Sequence, residues 1–176
     1  RIYARQIESN STAFKDDLHA DKFVKDMIAS VRTQSLMTKA MTLSFVDRRG
    51  KCLALDRRRT ATPVVKLCDL AKSGDIRWYS FEGYGKSQEP LAKGVMHVDI
   101  REDKAFSDAV MRHEVVTSGL HSSYWNEESQ VVSVHEPLFD AKGDYRLMVS
   151  ADLDVRSLAV YLQSLKAPEG TSIILF

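Results

Sequence analysis

Two short turns of the pattern Asp-x-x-Gly constrain the fold of this chain more than any other feature. They are Asp47–Gly50 and Asp140–Gly143. Each lies between two segments in which apolar and polar residues alternate, which are 41–46 and 51–55 around the first turn and 130–136 and 145–152 around the second. Alternation is typical of strands, Asp can hydrogen-bond the turn backbone, and Gly can adopt the positive φ that closes it. The sequence therefore predicts two hairpins and an antiparallel sheet.

Helical periodicity is found outside these hairpins. Apolar side chains fall near one face over residues 1–36 and predict a long N-terminal helix. At the polar interruption Asp16–Lys22 either this helix breaks or two helices meet. Shorter helices are predicted at 64–72, 104–116 and 155–165, and further strands at 76–81 and 95–100. Asp154 is a candidate N-cap for the last helix. Hairpin strands with helices at their margins indicate an α+β fold.

The composition narrows the function classes. The chain has 176 residues with 25 basic and 24 acidic side chains, so its net charge of +1 argues against a nucleic-acid binder. No apolar run approaches the roughly 18 residues that a membrane span requires. Cys52 and Cys68 are compatible with an oxidising compartment, and the sequence leaves open whether they form a disulfide or remain two separate thiols.

Catalytic and metal-binding motifs are incomplete. Gly83–Ser87 contains the Gly-Lys-Ser end of a phosphate-binding loop, but the required earlier glycine is replaced by Ser80. The histidines lack zinc-ligand spacing, and the alternation of His97 with Asp99 is explained equally by a strand surface. No Gly-x-Ser-x-Gly element is present. The sequence therefore predicts a protein that is not an enzyme and that needs no cofactor or metal, with a small hydrolase as a further alternative.

The stretch Val131–Asp154 carries a resemblance to a known family. It reads as a strand, the step Pro137–Asp140 into the second turn, another strand, and Asp152–Asp154 before a helix. In this order the features resemble the double Cache family of bacterial extracytoplasmic sensors, and the first hairpin fits the first hairpin of the family's membrane-distal module. The resemblance implies an α+β fold in which a PAS-like antiparallel sheet is flanked by helices, with a long N-terminal helix.

The resemblance also implies a domain organisation. Residues 1–40 would be an N-terminal helical segment, 41–154 the membrane-distal Cache module, and 155–176 a linker helix with the first strand of a truncated second module. Because the apolar run Thr171–Phe176 reaches the last residue, we expect the chain to be part of a longer protein.

The function implied by the resemblance is that of a sensor domain. It would be the periplasmic or cell-surface part of a transmembrane signalling protein such as a chemoreceptor or histidine kinase, with spans outside this chain. It would bind a small-molecule ligand, pass on a conformational signal, and dimerise through the N-terminal helix. A structural or dimerisation module without a ligand is the alternative.

Candidate site residues come from the same resemblance. The family's pocket lies between the distal sheet and the loops over it. In amino-acid-sensing members an Arg-x-Trp-Tyr run opens a helix, but the aligned residues Asp103–Phe106 contain none of these three. Tyr124 and Asp152 match a later Tyr and Asp of the family. The half of the pocket that would hold a carboxylate is therefore absent.

Other candidates follow from side-chain chemistry. Arg101 could pair with an anionic ligand or form a structural ion pair with Asp99 or Asp103. Trp78 and Tyr79 could line a pocket or the core. We expect ligand contacts from Tyr124, Asp152, Arg101, Asp103, Phe106, Trp78 and Tyr79.

Overall fold

The protein is described by a computed structural model in which residues 25, 42–57, 64–72, 74–81, 84, 89–156 and 159–160 are placed. Within these residues nine strands form one sheet, and every pairing in it is antiparallel. The elements are β1 (Thr42–Asp47), β2 (Lys51–Asp56), β3 (Val64–Asp69), β4 (Asp75–Ser80), β5 (Ala92–Val95), a 3₁₀ turn (Ile100–Glu102), α1 (Lys104–Arg112), β6 (Val116–Thr117), β7 (His121–Ser123), β8 (Asn126–Phe139) and β9 (Tyr145–Asp154).

The strand order is β5-β4-β3-β2-β1-β9-β8-β6, with β7 also paired to β8. The first five strands form a meander. The last strand, β9, pairs with the first strand, β1, so the first and last described strands along the chain lie side by side at the centre of the sheet. The sheet curves into a half-barrel. Residues from the two ends of the module are thus brought side by side.

Both predicted hairpins are confirmed. β1 pairs with β2, and β8 pairs with β9, in antiparallel register. Asp47 Oδ1 accepts the backbone N–H groups of Arg49 and Lys51, and Gly50 has φ 85°. The second turn uses the same chemistry, because Asp140 Oδ1 accepts the N–H groups of Lys142 and Asp144 and Gly143 has φ 84°. In both turns the Asp carboxylate accepts hydrogen bonds from backbone N–H groups that would otherwise lack a partner in the turn.

The sheet has two different faces, because successive side chains of a strand point to opposite sides. One face, called here the apolar face, is covered by hydrophobic residues from the central strands. Its buried members are Leu43, Phe45, Leu53, Leu55, Val65, Leu67, Phe81, Leu147 and Val149. The opposite face, called the mixed face, carries the alternate residues of the same strands.

The mixed face changes character along the strands. Towards the Asp47–Gly50 turn it is apolar, with Val46 and Met148 packed in one cluster with Phe106 and Ala109 of α1. Towards the other end of β1 it is polar, although its side chains are still buried. Helix α1 therefore covers the apolar half.

The predicted α+β fold with flanking helices is wrong. Strands make up 54% of the described residues, and Lys104–Arg112 is the one complete α-helix among them, so the module is mostly antiparallel sheet. The described structure contains no long N-terminal helix, since the predicted segment 1–36 lies outside the described residues apart from Lys25. The predicted helix at 155–165 and strand at 171–176 also lie largely or wholly outside them.

Three local predictions are also wrong. Val64–Asp69 is a strand rather than a helix, because β2 and β4 supply hydrogen-bond partners on both of its edges. The strand expected at 95–100 ends at Val95. The helix expected to reach residue 116 ends at Arg112, where His113 takes the left-handed conformation with φ 56°. No helix within the described ranges has the length and hydrophobicity to cross a membrane.

Candidate functional site

A group of buried polar side chains, called here the polar cluster, occupies the polar half of the mixed face. Strand register assembles it, because Asp152 of β9 lies between Thr42 of β1 and Ser133 of β8. In the same way, Ser150 of β9 lies between Ser44 of β1 and His135 of β8. The cluster consists of Thr42, Ser44, Asp56, Lys66, Ser123, Ser133, His135, Ser150 and Asp152, all of them buried.

Asp152 is the centre of the hydrogen bonds in this cluster. The residue is only 3% exposed. Ser133 Oγ donates to Oδ1 at 2.7 Å and Ser123 Oγ donates to Oδ2 at 3.1 Å, while Ser123 accepts the N–H of Trp125. Asp152 forms no salt bridge within the described ranges. A buried carboxylate held by two hydroxyl groups is stabilised further by a positive charge, because burial weakens its solvation.

Lys66 and Asp56 form a buried ion pair beside Asp152. Lys66 Nζ lies 2.6 Å from Asp56 Oδ2 and donates a second hydrogen bond to the Trp125 carbonyl oxygen at 2.7 Å. Thr42 Oγ1 donates to Asp56 Oδ1 at 3.4 Å. The ammonium group also lies 4.7 Å from the centroid of the Trp78 ring, which adds a cation–π contact. The charge of Lys66 is therefore already offset by Asp56.

His135 has one unsatisfied ring nitrogen. Its Nδ1 lies 2.8 Å from Ser150 Oγ, but Nε2 is buried and lacks a hydrogen-bond partner among the described residues. Burial lowers the pKa of His135, although the charges of Asp103 and Asp152 act in the opposite direction, so the ring is neutral near pH 7. The ring centroid is 6.2 Å from that of Phe106. Buried polar atoms in folded proteins are usually hydrogen-bonded, so this nitrogen stands out among the described side chains.

Tyr124 joins the polar cluster to helix α1. Its hydroxyl donates to Asp103 Oδ2 at 2.7 Å, and Asp103 Oδ1 caps α1 by accepting the N–H of Phe106 at 3.0 Å. Burial raises the pKa of Asp103, but the hydrogen bonds from Tyr124, Phe106 and Ala105 outweigh burial and hold the pKa below its ordinary value. Burial and the Asp103 carboxylate raise the pKa of Tyr124.

The structure brings together some of the predicted site residues. Asp152 belongs to the polar cluster and Trp78 lies over Lys66. Three other predicted residues lie next to the cluster at the start of α1. Phe106 is near His135, Asp103 caps the helix at Phe106, and Tyr124 donates to Asp103.

Arg101 and Tyr79 lie elsewhere. The guanidinium of Arg101 is paired with Asp99, at 2.5 Å for the shortest contact, and packs against Gly50 at the opposite end of β1 from the Asp152 register position. Tyr79 packs on the apolar face, where its ring is 5.4 Å from that of Tyr84 in an edge-on arrangement. Neither residue faces the polar cluster.

Sequence reasoning missed Lys66, Asp56, Ser133 and His135. One signal was available for two of them: Lys66 lies inside the apolar run Val64–Cys68, and Asp56 follows the apolar run Cys52–Leu55. Charged residues are almost never fully buried unless paired, so a charge inside or directly after a buried apolar run indicates a buried pair.

No protein family model and no curated protein matches the chain. Among solved structures, the chain is similar to the ligand-binding domain of the Pseudomonas aeruginosa PAO1 amino acid chemoreceptor PctC in complex with GABA, with 14% identity and a TM-score of 0.42. The similarity covers 92% of this chain and 56% of that one, so this chain spans little more than half of its length. A likeness at this TM-score does not establish a shared fold.

Proposed function

We propose that residues 41–154 form a ligand-binding sensor domain that holds a small polar molecule against the polar cluster. One observation carries this proposal: His135 Nε2 is buried and unsatisfied on the same sheet face as the buried carboxylate of Asp152. A ligand would give His135 Nε2 the hydrogen bond it lacks, because a buried polar atom without a partner costs free energy. The Asp152 carboxylate, already held by Ser123 and Ser133, would gain a positive charge from the same ligand.

The ligand we expect carries an ammonium or similar donor group. Asp152 would accept from this group, and His135 Nε2 would form a second contact. Tyr124, Phe106 and Trp78 would supply aromatic walls, which suit small organic ligands. Arg101 is held by Asp99, so we do not expect it to bind a ligand carboxylate.

The biological setting is a proposal that follows from the resemblance to the double Cache family. The domain would be the extracytoplasmic part of a bacterial membrane receptor, with no catalytic step of its own. Asp152 lies three residues before Val155, so a ligand held by Asp152 would act on the segment that continues towards the membrane. A signal would then be a shift between two arrangements of that segment.

The rival proposal is a structural or dimerisation module without a ligand. In such a module we would expect each buried polar atom of the cluster to have a hydrogen-bond partner within the protein. The unpaired His135 Nε2 favours the sensor instead.

A thermal-shift screen tests the proposal. Amines, organic acids, amino acids and nucleobases would be added separately, and a ligand is expected to raise the melting temperature by mass action. For a compound that binds, Asp152→Asn is expected to weaken affinity by about tenfold to a hundredfold, the usual effect of losing a hydrogen bond to a charged group. The matched control is Asp75→Asn, since Asp75 is exposed at the start of β4.

Two results would overturn the sensor proposal. In the first, no compound changes the melting temperature of the wild-type protein. In the second, Asp152→Asn lowers the melting temperature but leaves the affinity for the compound unchanged, which would make Asp152 a structural residue.

A further inference from the structure

The end of the β7–β8 hairpin, called here the hairpin tip and made up of Ser123–Trp125, bends back over the mixed face. The register partner of Ser123 is Asn126, which lies seven residues before Ser133 on β8. A straight strand would place Asn126 and Ser133 about 23 Å apart, because each residue adds about 3.3 Å. Ser133 is the register partner of Asp152, yet Ser123 Oγ is only 3.1 Å from Asp152 Oδ2. The hairpin tip therefore folds back onto the sheet instead of continuing beyond it.

The hairpin tip also reaches across the sheet. The Trp125 carbonyl oxygen accepts a hydrogen bond from Lys66 Nζ at 2.7 Å. Lys66 belongs to β3, and the strand order β3-β2-β1-β9-β8 places β3 four strands away from β8. Four strand spacings are about 19 Å along a flat sheet. Because the sheet curves into a half-barrel, the hairpin tip can pass above β9, β1 and β2 and meet Lys66.

Two further hydrogen bonds hold the hairpin tip in this position. Ser123 Oγ donates to Asp152 of β9, and the Tyr124 hydroxyl donates to Asp103 at the start of α1 at 2.7 Å. All three hydrogen bonds join the tip to an acidic or basic side chain, and hydrogen bonds to ionised groups are stronger than neutral ones. Trp125 is only 5% exposed. The hairpin tip is thus fixed to three separate elements and covers the polar cluster.

Ser44 of β1 lies in the part of the polar cluster that the hairpin tip covers. Its register partners are Ser150 on β9 and Ala54 on β2, and Ala54 is in turn the partner of Lys66. Since the hairpin tip extends from Asp152 on β9 to Lys66 on β3, it passes above β1. Ser44 is only 3% exposed. The hairpin tip therefore separates this row of side chains from solvent.

We propose that the hairpin tip is the gate of the ligand site and that Lys66 is the positioning residue that holds the gate closed through the Trp125 carbonyl. The inference rests on the proposed ligand site and adds the route by which a ligand reaches it. Opening breaks the Lys66–Trp125 and Ser123–Asp152 hydrogen bonds but leaves the sheet folded, because β1, β2 and β9 pair with one another without the tip. A local opening of this kind costs less free energy than global unfolding.

Thiol labelling beneath the gate tests the proposal in the ligand-free protein. Ser44→Cys places a thiol under the hairpin tip, and the probe is aminoethyl methanethiosulfonate, a small organic ammonium reagent that attaches to thiols. Peptide mapping by mass spectrometry separates this thiol from Cys52 and Cys68. We expect slow labelling in Ser44→Cys alone.

Labelling is expected to become about tenfold to a hundredfold faster when Lys66→Met and Asp56→Leu are added together, the effect of losing one hydrogen bond to a charged group. The paired substitution releases the Trp125 carbonyl. It leaves no uncompensated buried charge, and it leaves the net charge around the cationic probe unchanged.

Two controls separate opening of the gate from unfolding of the sheet. Val65→Cys places a thiol on the buried apolar face of β3, next to Lys66 in the chain, and is expected to stay slowly labelled with and without the paired substitution. Gly74→Ala strains the connection between β3 and β4, where φ is 67°, and is expected to leave the labelling of Ser44→Cys close to its original rate.

Tyr124→Phe provides a second variant if the paired substitution fails to fold. It removes the hydrogen bond from the hairpin tip to Asp103 and keeps the aromatic ring. We expect it to accelerate the labelling of Ser44→Cys by about tenfold and to leave Val65→Cys unchanged.

The outcomes distinguish the gate from the ligand site. Equal acceleration at Ser44→Cys and Val65→Cys would show that Lys66 stabilises the whole fold, and it would overturn the gate. Fast labelling of Ser44→Cys with Lys66 and Asp56 intact, or no acceleration in either loosened variant, would overturn it as well. None of these results bears on whether a ligand binds, which the thermal-shift screen decides separately.

Discussion

Lys66 and Asp56 form an ion pair inside the protein, with their side chains only 5% and 7% exposed and the nitrogen and oxygen 2.6 Å apart. Removing Lys66 alone would leave the Asp56 carboxylate buried without its counter-charge. We expect Lys66→Met to lower the free energy of unfolding by about 3–5 kcal/mol, the usual effect of breaking a buried pair. Urea denaturation followed by circular dichroism measures this.

Two further variants control that experiment. Lys66→Met combined with Asp56→Leu is expected to be more stable than Lys66→Met alone, because no uncompensated charge remains. Lys104→Met breaks the solvent-exposed pair with Asp108 and is expected to unfold at a midpoint close to that of the wild type. A wild-type midpoint for Lys66→Met would show that the pair is not buried in solution.

Gly74 is expected to tolerate no larger residue. Its φ is 67°, and a Cβ at this position would lie 2.5 Å from the carbonyl oxygen of Met96. Gly74→Ala is therefore expected to lower the free energy of unfolding by about 1–3 kcal/mol through backbone strain and a steric clash. Gly94→Ala on β5 is the matched control, since a Cβ there meets nothing within 4 Å. Equal stability of the two variants would contradict the placement of Met96 against Gly74.

The hydrogen bond from Tyr124 is expected to control the ionisation of Asp103. The pKa of Asp103 is lowered in the folded protein, so its charged form stabilises the fold above the ordinary carboxylate range and this contribution is lost as pH falls below about 4. Tyr124→Phe is expected to raise the pKa of Asp103 and to reduce the loss of stability in acid.

Carboxyl ¹³C chemical shifts followed between pH 2 and pH 6 measure this effect directly. The control is Tyr79→Phe, which alters the apolar face and is expected to leave the titration of Asp103 unchanged. An unchanged titration in Tyr124→Phe would show that the hydrogen bond contributes nothing to the low pKa.

Cys52 and Cys68 are expected to resist alkylation in the folded protein. They are direct partners across β2 and β3, both are buried, and both are thiols rather than a disulfide. The thiolate is the reactive form. The hydrogen bond between the two thiols, together with burial, raises the pKa of Cys52, whereas the same hydrogen bond lowers the pKa of Cys68, so Cys68 is protected by its burial and not by its protonation. Iodoacetamide labelling followed by mass spectrometry is expected to modify neither residue until denaturant is added. A mass lower by two hydrogens that dithiothreitol restores would instead show a Cys52–Cys68 bridge.

Much of the local structure follows from the sequence alone. The turns Asp47–Gly50 and Asp140–Gly143 were predicted because one Asp side chain and one Gly backbone satisfy each turn within a few residues. The strands that flank them were predicted from alternation for the same reason, since the pattern is read over six to eight residues. The antiparallel pairing of β8 with β9 is then a consequence of the short connection between them.

The errors arise where a segment depends on distant partners. Val64–Asp69 has helical spacing of apolar residues, yet it forms a strand because β2 and β4 lie on either side. His113 ends α1 earlier than the apolar pattern indicates, and its ring stacks on Phe139 at a centroid distance of 4.0 Å. Tertiary contacts override local propensity in both places.

In the candidate site, too, some features could be predicted from the sequence and others depend on distant partners. Asp152 could be singled out from the sequence because it ends an apolar strand. Its partners could not, because Ser123, Ser133 and Asp152 lie on three different strands and meet only through register. A shift of one residue in any of these strands would turn its side chain to the opposite face. The sequence by itself thus determined the turns and strands, and the tertiary structure decided which buried polar groups meet, because cross-strand register is a long-range property of the whole sheet.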